Sequence, residues 1–528
     1  MPKVLISDKL SPAAVAVFRE RGIDADLKPG LKPPELREII NSYDGLAVRS
    51  ATKVTRELLE AAPSLKVVGR AGIGVDNVDI TSATRRGVAV MNTPHGNSVT
   101  TAEHAIAMMM ALARQIPEAS ASTKAGKWEK NRFMGMELFG KTLGLIGCGN
   151  IGSIVADRAI GLKMKVIAYD PYLTEARALA LGVEKVELPA LLTRADVVTL
   201  HTPLTEATRN ILSAKEIASM KPGVRIINCA RGGLVDEAAL AEAIRSGQIA
   251  GAALDVFAAE PPGESPLFGL ENVVCTPHLG ASTEEAQEKV GIQVAEQMSD
   301  FLLTGAIVNA VNMPSVSTEE APRLRPYMDL CRLLGTFAGQ LTQARDGVIQ
   351  RVAIEYEGAA AGLNHKPLTA AALAGLLTPI LEGVNMVNAL ALAHERGIEI
   401  AETVRDRPSE YQTLVALSIT TEQQTRAIAG TLFANNRPRV VAIKGIPVEA
   451  DFSRHMIYVT NQDRPGFIGR FGAKLAEAGI NIATFHLGRT APGGDAICLV
   501  AVDEPVPEPV LAAIRAIPLV VQATPLSF

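Results

Sequence analysis

From Lys141 to Leu162 the chain reads KTLGLIGCGNIGSIVADRAIGL. TLGLI predicts a buried strand and SIVADRAIGL a helix, with Gly147-Cys148-Gly149-Asn150-Ile151-Gly152 as the turn between them. A GxGxxG alone is a weak signal, because glycine is common. Strand, turn and helix in that order, followed by the apolar run KVIAYD ending at Asp170, make it a dinucleotide-binding fingerprint. Gly147 permits the tight turn, Gly149 lets a pyrophosphate approach the backbone, and Gly152 lets helix and strand pack closely. The first helical turn, with Asn150 and Ile151, supplies N–H groups and a positive dipole for phosphate. Asp170 is placed to accept hydrogen bonds from the adenosine ribose and to repel a 2′-phosphate. The expected cofactor is NAD rather than NADP.

Outward from this turn, the α/β pattern continues. ADVVTLHTP, VRIINCAR, GAALDVF and NVVCTPHLG follow KVIAYD, giving a series of six strands for one doubly wound domain. Upstream, KVLISD, GLAVRS, LKVVGRAG and VAVMNTP alternate with helical stretches, which predicts a second parallel sheet. TAEHAIAMMMALAR, starting at Thr101, is apolar all round and predicts a buried helix linking the two. A helix over Ser282 to Leu303 and the segment AIVNAVNMP then return to the first unit. The expected fold is α/β. Two Rossmann-like doubly wound domains face a cleft: a flavodoxin-like unit over 1–97 plus 284–316, and a nucleotide-binding unit over 98–283. An α+β segment over 317–452 follows, Ala-rich, with strand-like pieces VIQRVAIEYEG and RVVAIKGIPVEADF. A βαββαβ unit of ferredoxin-like type over 453–528 closes the chain.

Bulk properties agree. At 528 residues the chain is too long for one core and suits about three or four domains. Formal charge is -4, so no basic face favours nucleic acid or an anionic membrane. No apolar run is long enough to span a bilayer. The N-terminus MPKVLISDKL lacks the pattern of a signal peptide. Five scattered cysteines with no CxxC pair indicate neither a disulfide framework nor a zinc site, and a reducing, cytoplasmic setting is expected.

Three residues follow strands of the nucleotide-binding series: Arg231 in NCARGGLVDE, Glu260 in LDVFAAEPP and His278 in TPHLGAST. Strand C-terminal ends border the cofactor crevice in open α/β sheets, so the three can converge there. Oxidation of a 2-hydroxy acid needs a base for the hydroxyl proton, and histidine titrates near neutrality. Glu260 suits the orientation of that imidazole. Arg231 offers a planar fork to a carboxylate. Singly, each has an ordinary reading: a structural histidine, a surface arginine, a solvated turn.

GCGNIG, NCARGGLVDE, ALDVFAAEPP and TPHLGAST together resemble the signatures of the D-isomer-specific 2-hydroxy-acid dehydrogenase family, over about residues 1 to 312. The resemblance implies an Arg–Glu–His triad of Arg231, Glu260 and His278. It also implies an NAD site lined by Thr202, Pro203, Cys229, Ala230, Asp255 and Gly280. The family motif leaves the hydroxy acid open. In the first unit, Arg49 and Arg70 each follow an apolar strand, and two arginines suit a phosphate. The alternative is that they pair with local carboxylates. These segments resemble the branch of the family that oxidises 3-phospho-D-glycerate in serine biosynthesis. That implies contacts from Arg49, Ser50, Arg70, Ile73, Gly74 and Asn97, and from Arg132 of the same chain or of a partner subunit.

TNQDRPGFIGRFGAKLAEAGINI resembles an ACT domain, a ligand-sensing module, and Asp463 and Asn481 match positions that bind L-serine in related dehydrogenases. The plainer reading is a dimerisation unit with Asp463 as a helix cap. A homo-oligomer, dimer or tetramer, is expected, and the middle segment resembles the intervening domain of the long enzyme form. Two other readings compete: a glyoxylate or hydroxypyruvate reductase, and an NADH-sensing scaffold like the C-terminal binding protein corepressors. The first does not need the two arginines; the second lacks a patterned tail.

Overall fold

The computed structural model describes residues 1–94, 96–317, 319–345, 347–405 and 411–528, apart from the side chains of 343–345. The first sheet is β1 (Lys3–Ile6), β2 (Asp24–Leu27), β3 (Gly45–Val48), β4 (Val67–Arg70) and β5 (Ala89–Met91), all parallel in the order β2-β1-β3-β4-β5. The sequence reading omitted β2. Its four residues DADL lie on the sheet edge with only Ala25 buried, so no apolar run marks them. The helix Glu284–Thr304 returns to this sheet and packs Val290, Val294 and Met298 against Val4, Val67 and Met91.

The second sheet holds β6 (Thr142–Ile146), β7 (Lys165–Tyr169), β8 (Glu184–Lys185), β9 (Val197–Leu200), β10 (Val224–Asn228), β11 (Ile249–Leu254) and β12 (Val273–Cys275). Their order is β12-β11-β10-β9-β6-β7-β8, all parallel. Six strands were expected; β8 is the seventh, a two-residue edge strand too short and polar to show in sequence. Strand order reverses between β6 and β9, and the crevice lies at their carboxyl ends. The linking helix runs Ser98–Ala113, starting three residues before the expected Thr101. It is not buried all round: Val99 and Met110 are 48% and 41% exposed.

The third sheet comprises β13 (Ile349–Gly358), β14 (Glu399–Arg405), β15 (Thr413–Thr421), β16 (Thr425–Phe433), β17 (Arg437–Ile443) and β18 (Ile446–Asp451). Its order is β14-β13-β15-β16-β17-β18. Only β13 and β14 run parallel; the other pairs are antiparallel. Two helices, Ala321–Arg345 and His365–Leu377, pack against each other beside this sheet. A Cβ on Gly375 would stand 2.1 Å from Arg332 O, so the small-residue composition is what this close crossing requires. The last sheet is β19 (His455–Gln462), β20 (Ile482–Arg489), β21 (Asp495–Val502) and β22 (Val520–Ser527), antiparallel in the order β20-β21-β19-β22.

Two observations tie the tail to the rest. Met456, Tyr458, Leu499 and Leu526 of the last sheet share one core with Leu330, Phe337 and Val440 of the middle unit. Sheets divide near residue 452, but their cores do not. The loop before Ala389–Glu395 also docks on the first unit. Asn385 Nδ2 donates to Gly87 O at 2.8 Å and Asn388 Nδ2 to Arg85 O at 3.4 Å. Val387 enters the first unit's core, and burial of one such side chain is worth about 1.5–3 kcal/mol.

Candidate active site

The glycine turn is shaped by its neighbours. Gly147 has φ +91°, and a Cβ there would lie 2.5 Å from His201 O; a Cβ on Gly152 would lie 2.1 Å from Gly147 O. Both positions exclude any side chain. Gly149 differs: a Cβ would meet nothing within 4 Å, so it opens onto free space at the start of the helix Asn150–Gly161. That is where a pyrophosphate fits. Asp170 follows β7 and accepts from Cys148 N and Tyr172 N, both at 2.8 Å. The turn therefore fixes the carboxylate expected from the sequence to meet the ribose. The chain from His201 to Pro203 forms the facing wall; Thr202 N would itself lie 3.1 Å from a Cβ at Gly147. Cys229 and Ala230 are almost wholly buried after β10, and burial pushes the Cys229 thiol up.

His278 Nδ1 stands 2.6 Å from Glu260 Oε2, and Glu260 Oε1 accepts from Phe257 N at 3.2 Å. The His278 backbone is left-handed, with φ +55°. Asp255 makes that turn possible. Its carboxylate accepts from Leu279 N at 2.7 Å, Gly280 N at 2.8 Å and Thr276 Oγ1 at 2.6 Å, and its backbone carbonyl accepts from His278 N at 2.9 Å. Although the resemblance implies that Asp255 lines the cofactor site, it has no exposed surface and lies beneath the histidine loop. The linking helix brings His104 Nε2 to 3.2 Å from Asp255 Oδ1. Buried carboxylates are held ionised only by such donors. Desolvation raises the Asp255 pKa, and the donors His104 and Thr276 more than offset it, so the net direction is down.

Across from this loop the first unit contributes to a cluster of arginines. Arg70 is largely buried and its Nε has no hydrogen-bond partner among the described residues. Burial and the nearby Arg231 cation pull its pKa down to about 10, with Arg49 acting the same way. Arg70 still carries its charge near neutrality. Gly72 makes room for it, since a Cβ there would lie 1.6 Å from Arg70 Nη1. Arg231 reaches across from the nucleotide-binding unit: Nε donates to Asp76 Oδ2 at 2.9 Å and Nη1 to Ala230 O at 2.6 Å. Ser50 is exposed beside Arg49, and Ile73 and Gly74 lie half-buried on the adjoining loop. Asn97 is nearly buried, with its Oδ1 unpartnered among the described residues.

Several residues that hold these loops went unread in the sequence. Asp8 accepts from Arg49 N at 2.6 Å and Thr52 Oγ1 at 2.7 Å. Asn77 donates to Arg49 O and Thr52 O, and Asn92 to Ile73 O. Asp8 ends the segment KVLISD, and a buried carboxylate after a strand is the signal that marks it.

Two expectations are not met within the chain. Arg132 does not reach the cluster; it pairs with Glu129 and Glu271 on the surface of the nucleotide-binding unit. Asp463 and Asn481 are not brought together. Asp463 follows β19 and accepts from Arg489 Nη1 at 2.6 Å, whereas Asn481 precedes β20 and donates to Asp503 at 2.8 Å. Residues 482 to 489 form the whole of β20 between these ends, a span of roughly 20 Å or more. One ligand cannot bridge both in one chain.

Comparison with known proteins follows the same division. Residues 106–280 match the model of the D-isomer specific 2-hydroxyacid dehydrogenase NAD binding domain. Residues 323–444 match the D-3-phosphoglycerate dehydrogenase intervening domain, and 455–519 the ACT domain. D-3-phosphoglycerate dehydrogenase of Synechocystis sp. is 44% identical, covering 97% of this chain and 92% of its own. The enzyme of the same name from Methanocaldococcus jannaschii is 43% identical, with 98% of each chain covered. That from Bacillus subtilis is 41% identical, covering 99% of this chain and 98% of its own. Among solved structures, a glyoxylate reductase from Paecilomyes thermophila superposes with TM-score 0.55 at 30% identity, covering 59% of this chain and 98% of its own. Apo D-lactate dehydrogenase from Escherichia coli gives TM-score 0.53 at 29% identity, covering 59% of this chain and 100% of its own.

Proposed function

The chain belongs to the D-3-phosphoglycerate dehydrogenase family of D-isomer-specific 2-hydroxyacid dehydrogenases, and from that premise we propose how its cleft carries out the reaction. The reaction is oxidation of 3-phospho-D-glycerate to 3-phosphohydroxypyruvate with NAD, the first step of L-serine biosynthesis. The observation that carries the reading is a chain of contacts: His278 pairs with Glu260, Glu260 accepts from Phe257 N, Phe257 packs closely on Gly232 next to Arg231, and Arg231 lies near Arg70. A proton acceptor and a group of cations thus stand on neighbouring loops.

When bound in the crevice, NAD would supply the acceptor for the hydride of C2. His278 takes the hydroxyl proton through Nε2, the ring nitrogen opposite Glu260, while Glu260 fixes the ring's orientation. Arg231 holds the carboxylate and polarises the reacting C–O bond. Arg49 and Arg70, with Ser50 and Asn97, hold the phosphate end, and the backbone at Ile73 and Gly74 meets the substrate beside Arg231. Gly147, Gly149, Asn150, Ile151 and Gly152 seat the pyrophosphate. Asp170 takes the ribose, and Thr202, Pro203, Cys229, Ala230 and Gly280 wall the crevice. Asp255 acts from beneath, by shaping the histidine loop.

L-serine is the proposed effector. Because Asp463 and Asn481 are far apart in one chain, they act on one ligand only when two copies associate, Asp463 of one beside Asn481 of the other. Homo-oligomer formation is supported by Trp128, Met134 and Phe139, which are 85%, 78% and 74% exposed around Arg132. The test is NADH formation from 3-phosphoglycerate with the keto product trapped, with and without millimolar L-serine. Activity suppressed by serine supports both assignments; activity indifferent to it leaves the ACT unit an assembly module. Glyoxylate or hydroxypyruvate turnover without phosphoglycerate oxidation moves the chain to the reductase reading.

A further inference from the structure

Asp76 carries no role in the reading above, yet its carboxylate pairs with Arg231 across the cleft. It stands on the loop after β4 of the first unit, and Arg231 on the loop after β10 of the second. Three edges of the guanidinium can be followed. Nε is held by Asp76 Oδ2 at 2.9 Å, and Nη1 by Ala230 O at 2.6 Å. Nη2 lies in a slot that exists because residue 74 is glycine, since a Cβ there would stand 1.7 Å from it. Two edges are fixed by protein, one from each side of the cleft, and the third faces the Ile73–Gly74 loop.

We propose that Asp76 is a positioning residue for Arg231, locking the guanidinium plane as the two domains meet so that its Nη2 edge is aimed at the substrate. The inference rests on the reading of Arg231 as the group that holds the substrate carboxylate. A charge-assisted hydrogen bond on Nε stops the fork from turning about its last side-chain bond. The contact needs both domains, so the hold on Nε exists only where they meet, while the Ala230 contact belongs to Arg231's own unit. Asp76 also has a cost: its negative charge faces an anionic substrate among Arg49, Arg70 and Arg231. On this proposal, alignment of Arg231 outweighs the lost attraction. The two effects separate cleanly. Removing the charge strengthens ground-state attraction and weakens transition-state alignment.

The test uses full-length Asp76→Asn, Asp76→Ala and Asp76→Glu. It measures single-turnover NADH formation at saturating 3-phosphoglycerate, so that product release does not mask the chemical step, together with steady-state KM. The expected result for Asn and Ala is a rate lowered about 10- to 100-fold, the usual scale for a misaligned reacting group, with KM unchanged or lower. Asp76→Glu recovers most of the rate. NADH binding followed by fluorescence stays at the wild-type value, which reports an intact nucleotide-binding unit. In an Arg231→Gln background, Asp76→Asn produces no further loss. Wild-type single-turnover rates in Asn and Ala, with only KM lowered, would show that Asp76 merely occupies Arg231 in the empty enzyme, and would overturn the proposal. A further loss in the Arg231→Gln background would overturn it too. A wild type that reduces glyoxylate but does not oxidise phosphoglycerate defeats the substrate assignment instead. The same variant rates, taken with glyoxylate, then decide the role of Asp76.

Discussion

His278 Nδ1 and Glu260 Oε2 lie 2.6 Å apart, although the two residues follow different strands of one sheet. This contact directs the other ring nitrogen away from Glu260. His278→Asn should lower kcat by about 10²–10⁴-fold, the usual contribution of a general base. Glu260→Gln keeps the shape but not the charge and should lower kcat by roughly 10²-fold or more, as loss of a histidine's orienting carboxylate does elsewhere. Steady-state kinetics checks both; an unimpaired Glu260→Gln enzyme would show that the imidazole needs no carboxylate.

Two glycines of one motif should fail differently. Gly149 faces open space, so Gly149→Ala should keep its melting temperature and lose NAD affinity. Gly152 has Gly147 O at 2.1 Å from its Cβ position, so Gly152→Ala forces helix and turn apart and should lower the melting temperature. Thermal unfolding with and without NAD separates the two. Equal losses of stability would contradict the assignment of Gly149 to the cofactor.

His201 sits behind the glycine turn, and burial lowers its pKa from 6.5 to about 4. The unfolded chain therefore binds this proton more readily than the folded one. The contribution of neutral His201 is complete above about pH 6.5 and is lost progressively as pH falls toward 4. Relative to His201→Asn, the wild type should lose stability between pH 7 and 5, read as the urea midpoint. Parallel midpoints for the two proteins would contradict the burial of an uncharged ring.

The middle unit is pegged to the first by Asn388, which is 1% exposed. Its Oδ1 accepts from Asn385 N at 2.8 Å, and its Nδ2 donates to Gly383 O at 2.9 Å. Asn388→Ala leaves these buried groups unpaired, at about 1–3 kcal/mol. Hydrogen exchange should rise both in the 383–388 loop and in the Arg85–Val88 turn it touches. A rise confined to the loop would mean that the docking contact carries no stability.

The core of the enzyme was legible because its signals are local. GCGNIG needs only its own strand and helix, and Arg231, Glu260 and His278 each sit in a short pattern at a strand end. Strands β2 and β8 escaped notice because edge strands with few buried side chains carry no apolar run. β15 alternates buried and half-buried residues from Thr413 to Thr421, a strand pattern that an Ala-rich reading of the region passed over. Asp8, Asp76, Asn77 and His104 stayed hidden for another reason. Each acts through a partner 25 or more residues away in sequence, and only the closed chain shows the pair. Asp463 and Asn481 show the converse: matching positions in a motif say nothing of whether one chain brings them together.

By the function proposed above, Arg49 and Arg70 make the cleft select a phosphorylated 2-hydroxy acid. The direct measurement is the ratio of kcat/KM for 3-phosphoglycerate to that for D-glycerate, in the wild type, Arg49→Gln and Arg70→Leu. A ratio within one protein cancels any difference in folded fraction. The expected result is a large ratio in the wild type that collapses by about 10-fold or more in each variant, as loss of a charge-assisted contact implies. A wild type that oxidises D-glycerate as readily as the phosphorylated acid, or variants that lose both substrates in equal measure, would contradict it.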